Sequence, residues 1–133
     1  VDMQIVTYDI DKKQVKLFLQ QLPKIAIVAH INLANQQLSS RTLSDMPVNS
    51  NNRNTTLDML DRTMEARNVI SRVIEALEHM PHDSYKNIIK LRYLYELSYE
   101  NIGDQLAISS RHVIRLIQDK ALKEFALAYG MFD

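Results

Sequence analysis

The sequence predicts an all-α protein, with N-terminal helices, a polar linker, a long amphipathic helix and a C-terminal helix-turn-helix domain. Three observations carry this expectation. Apolar residues recur at helical spacing through nearly every segment apolar enough to form a core. Gly 2 and Pro 3 leave too little punctuation for the turns of a sheet-rich fold. Near the C-terminus, two short amphipathic stretches, each opened by a serine, are joined by about three residues. A hydrophobic content of 46% with 24% charged residues suits a folded soluble chain. Its 133 residues allow one domain, or two small ones sharing a core.

In chain order, Asp11 to Leu22 forms a first helix, with Val15, Phe18, Leu19 and Leu22 on one face. Asp9 or Asp11 caps it, and Pro23 breaks or kinks it. A second helix is expected from Lys24 to Gln37, on the apolar residues Ile25, Ile27, Val28, Ile31 and Leu33. Residues 1–35 thus make an N-terminal helical region. Residues 36–56 are dense in Ser, Asn and Thr with little periodicity, and read as a mobile linker. Residues 57–133 make the C-terminal domain. Its first helix starts at a Thr55 or Thr56 cap and runs to Met80. The stripe is Leu57, Leu60, Met64, Val69, Ile70, Val73, Ile74, Leu77 and Met80. At 1.5 Å per residue such a helix spans about 37 Å. That is longer than one small domain covers, so part of the stripe is expected to meet the N-terminal helices or a second chain. His79-Met80-Pro81-His82-Asp83 reads as a helix corner, because Pro81 breaks the scaffold on which metal ligands would align. Asp83 or Ser84 then caps a helix carrying Tyr85, Ile88, Ile89, Leu91 and Leu94 to the core.

The helix-turn-helix is placed at 98–117. Ile102 and Leu106 share a face of the first helix, Val113, Leu116 and Ile117 a face of the second, and Ile108 sits between them. Gly103 falls where steeply crossing helices bring their backbones close. Ser98 and Ser109 are the expected caps; Asn101, three residues after Ser98, leaves the capping box incomplete. The second helix is the expected recognition helix. Ser109, Ser110, Arg111 and His112 form its start, and Arg115 follows one turn later. N-terminal residues of such a helix reach base edges first, and a guanidinium fork suits guanine. Ser98 and Tyr99 are expected at a backbone phosphate, and Lys120 is expected to add long-range attraction. The net charge of +0 offers DNA no global attraction. From Ser109 to Lys123, however, Arg111, Arg115, Lys120 and Lys123 face only Asp119, and Asp58, Asp61, Glu65, Glu75 and Glu78 cluster on the long helix. Modest affinity from one copy follows, and with it a homo-oligomer.

The stretch LRYLYELSYENIGDQLAISSRHVIRLIQDKAL resembles region four of bacterial sigma factors. With the layout of the whole chain, it is similar to the ArpU/RinA-type phage late-gene transcriptional regulators. The resemblance implies a sequence-specific activator of phage or prophage late genes, such as packaging and lysis modules. Its partner would be double-stranded promoter DNA, with contact to host RNA polymerase left open. Ala107 stands where the motif often has glycine; if left-handed, it costs about 1 kcal/mol. Two other readings use the same fold, a helical protein–protein adaptor and a DNA-packaging component. No enzyme is expected, since the chain lacks a Gly-rich phosphate loop, a nucleophile elbow and a metal-ligand set. Cys 0 excludes disulfides, cysteine-ligated zinc and a thiol nucleophile. No cofactor and no membrane segment are expected, and without an export leader the location expected is cytoplasmic.

Overall fold

The N-terminal helices and the C-terminal helices bury their apolar faces in one continuous core. The computed structural model describes residues 11–35, 38–39 and 57–131, and every regular element among them is helical. Most of the proposed linker, with the Thr55 and Thr56 caps, lies outside the described residues, as does the Asp9 cap.

Helix α1 (Lys12–Gln20) starts at Asp11, whose side chain accepts the Lys13 N–H at 3.0 Å. Val15 and Leu19 are buried. Helix α2 (Leu22–Ala29) begins at once, with Pro23 in its first turn, where a missing N–H costs nothing. It is shorter than the composition predicts. His30 adopts a left-handed conformation (φ 57°), and the Ile31 N–H returns to the Ala26 carbonyl at 3.0 Å. The chain then leaves the helix while Ile31 and Leu33 stay buried. Such a reversal is usually marked by glycine, so a histidine there gives no sequence signal.

Helix α3 (Leu57–Glu78) lies against α2, and Arg67 Nε donates to the Ala29 carbonyl at 2.9 Å, closing off the C-terminus of α2. Ile70, Val73, Ile74, Leu77 and Met80 are buried as the stripe requires. The stripe departs from expectation at its start: Met64 is 51% exposed, and the small Ala66 and Ala76 are buried. Six residues before Ile70, Met64 lies about a third of a turn off the line, while the alanines let neighbouring helices approach.

After the Pro81 corner, helix α4 (Asp83–Ile89) runs into a widened turn, Lys90–Leu94, in which the Tyr95 N–H reaches back five residues to the Lys90 carbonyl at 2.9 Å. The N-cap of α4 is His82, one residue before the expected Asp83 or Ser84. Glu124, distant in sequence, takes over the capping: it accepts the His82 N–H at 3.0 Å and sits 2.6 Å from His82 Nδ1. Asp83 instead lies in the first turn of α4 and pairs with Lys86 at 3.1 Å. Helices α5 (Tyr99–Leu106) and α6 (Ser110–Leu116) follow. A second widened turn, Ile117–Ala121, carries α6 into α7 (Leu122–Tyr129). Phe125, fully buried on α7, and Tyr129 stack at 5.7 Å; Phe18 of α1 meets Tyr129 at 5.2 Å. These rings join α1 to α7. No described helix is long and apolar enough to cross a membrane.

Candidate nucleic-acid interface

Both serine caps form as the sequence predicts. Ser98 Oγ accepts the Asn101 N–H and Ser109 Oγ accepts the His112 N–H, each at 3.1 Å. Between them the chain turns through Ala107, which is left-handed (φ 59°, ψ 40°), and the Ile108 N–H returns to the Gly103 carbonyl at 3.0 Å. The turn is tight because Gly103 has no side chain. A Cβ there would lie 2.6 Å from the Ile108 carbonyl oxygen and 3.3 Å from the Ser110 nitrogen. Beneath the turn Ile102 and Val113 are fully buried and Ile117 nearly so. Leu106, expected on the inner face, is 37% exposed. It ends α5 immediately before the reversal at Ala107, where Ile108 takes the half-buried place against the core.

These contacts fix the angle of α6 and decide what it presents. Arg111, His112 and Arg115 are exposed, and Ser110 is half-buried. Arg111 and Arg115, four apart, share one face. Neither guanidinium is held in an ion pair among the described residues. Two long cations on a helix whose underside is clamped can track a polyanion, and their planar forks can read base edges.

Ser98 and Tyr99 stand together at the start of α5. Tyr99 is half-buried, and the Arg92 guanidinium lies 4.0 Å from its ring centroid. Arg92 is itself anchored by donating to the Leu97 carbonyl at 2.9 Å. Lys120 is not brought to this group. It lies in the widened turn Ile117–Ala121, lining a cleft with His79, His82, Tyr85 and Lys123. Two residues that the sequence reading gave no role stand beside the predicted ones. Gln118 is exposed and seven positions from Arg111, so it extends the Arg111–Arg115 strip, and its amide suits adenine. The repeat of exposed polar residues at 111, 115 and 118 was the available signal. Arg92 holds Tyr99 in place, and nothing in the sequence announces that pairing.

Comparison with known protein families is consistent with this geometry. Residues 76–124 match the family model for Sigma-70, region 4. The segment is similar to a sigma region 4 helix-turn-helix. The match runs from the end of α3 through the corner, α4, α5 and α6 into α7, so it covers the helix-turn-helix and the helices that brace it. Sigma region 4 is itself a DNA-binding helix-turn-helix domain and not a catalytic fold. No curated protein and no solved structure gave a match.

Proposed function

We propose that this chain is a sequence-specific DNA-binding transcription regulator that lays α6 in the major groove. One observation carries the reading. Arg111 and Arg115 project together from a helix whose inner face is locked by Ile102, Val113 and Ile117. In this arrangement Arg111, Arg115 and Gln118 read bases, with Ser110 and His112 beside them. Ser98 and Tyr99 hold a phosphate and set the register, and Lys120 contributes only to the surrounding field. The polar region 36–56 links residues 1–35 to the DNA-binding part. The similarity to sigma region 4 supports action at promoters. Activation of phage or prophage late genes, contact with RNA polymerase and function as a homo-oligomer complete the proposal.

The test uses the full chain and DNA upstream of the genes it neighbours. Binding should weaken steeply with salt, with a log–log slope of about −0.9 per phosphate neutralised. Arg111→Ala and Arg115→Ala should each relax base preference by about 1–3 kcal/mol while leaving the fold intact. Salt-independent binding, or unchanged affinity and sequence preference in both variants, would remove α6 as the reading helix.

A further inference from the structure

Helix α2, Leu-Pro-Lys-Ile-Ala-Ile-Val-Ala, is apolar on every side and carries a single charge, Lys24. The described residues cover only part of it. Leu22, Ala26 and Ala29 are buried, but Ile27 is 74% exposed and Val28 44%. A helix of that composition is ordinarily buried all round. Beside the open face, α2 and α3 leave a groove of about 340 Å³ lined by Ile25, Val28, Arg62, Glu65, Ala66 and Val69. Its floor is apolar. Its charged groups are one cation and one anion, three residues apart on α3.

We propose that this face is covered by the same face of a second copy of the chain, forming a two-fold dimer. The charge pattern suits that occupant. Two α3 helices crossing antiparallel about a two-fold axis set Arg62 of each protomer against Glu65 of the other, while the apolar strips meet between them. A uniformly acidic or basic partner would set one of the two charges against its like. The face is also well placed. Helix α2 packs chiefly on α3, on α1 and on the Lys90–Leu94 turn, so its occupation leaves α6 free. The dimer deepens the regulator reading by supplying the second DNA contact that a chain of zero net charge needs, and it rests on that reading only for its purpose.

The association is tested without DNA, by sedimentation equilibrium of the full chain at micromolar concentrations, with circular dichroism as a check on folding. A dimer is expected. Ile27→Glu, at a site exposed in the monomer, should weaken it on the order of 100-fold, because the two-fold axis repeats the change on both sides. Arg62→Glu should weaken it too, and the double variant Arg62→Glu/Glu65→Arg should restore it. A wild-type monomer, a dimer indifferent to Ile27→Glu, or a charge reversal that the double variant fails to rescue would each overturn the proposal. A monomer that still binds DNA would refute the dimer, and with it the homo-oligomer part of the proposed function, but leave DNA binding standing. A dimer that binds no DNA would refute the regulator reading alone.

Discussion

Gly103→Ala is the sharpest test of how the helix-turn-helix is held. In an unconstrained helix this change is favourable by about 1 kcal/mol, because alanine loses less backbone entropy. Here the new Cβ would fall 2.6 Å from the Ile108 carbonyl oxygen and 3.3 Å from the Ser110 nitrogen, both backbone atoms. No side-chain rotation relieves such a contact. The turn must move away from α5, stretching the 3.0 Å bond from the Ile108 N–H to the Gly103 carbonyl and lifting α6 from Ile102. Overpacking of this kind costs about 1–3 kcal/mol, and more where only backbone can give. The net expectation is a loss of about 1–2 kcal/mol. For a chain of this size that lowers Tm by roughly 4–8 °C. Urea unfolding followed by circular dichroism measures it directly. If helix propensity wins and Tm holds or rises, the close backbone approach is wrong, and so is the fixed angle of α6 that depends on it.

Ala107→Gly should do the reverse, gaining about 1 kcal/mol in the same assay, because Ala107 is left-handed and its methyl group is exposed. Glu96, also left-handed (φ 57°), should respond to Glu96→Gly in the same direction. Burial pushes the Tyr93 hydroxyl up to about 12, with Tyr99 adding to the rise and Arg92 opposing it. The unfolded chain therefore releases this proton first, and stability should be constant in this respect below pH 10 and fall as pH rises from 10 to 12. Tyr93→Phe should flatten that alkaline slope. Because the hydroxyl has no hydrogen-bond partner among the described residues, the change should be neutral or stabilising by about 1 kcal/mol near neutral pH. Glu124→Ala should lower Tm by roughly 2–6 °C, since it leaves the His82 N–H without its capping carboxylate.

Much of the helix-turn-helix is legible because its rules are local. Ser98 and Ser109 cap the helices they precede, Gly103 sits at the close approach, and Ile102, Val113 and Ile117 form the inner face. Each follows from a residue type and a helical spacing. Several readings failed where backbone reversed or widened without a telltale residue, as at the end of α2 and at Leu106. His30 and Glu96 take left-handed conformations usually left to glycine. Turns with one extra residue, at Lys90–Leu94 and Ile117–Ala121, shift every position after them relative to a strict helical count.

The amino-acid order alone determined the helical class, both serine caps and the placing of two arginines four apart on one helix, because caps and periodic faces depend on neighbours within a turn or two. Tertiary structure decided the rest. It gave the cap of α4 to Glu124, seated Tyr99 beneath Arg92, ended α2 at Ala29 and left Ile27 bare. Those outcomes rest on contacts between segments far apart in the chain, formed only once the core has brought the helices together.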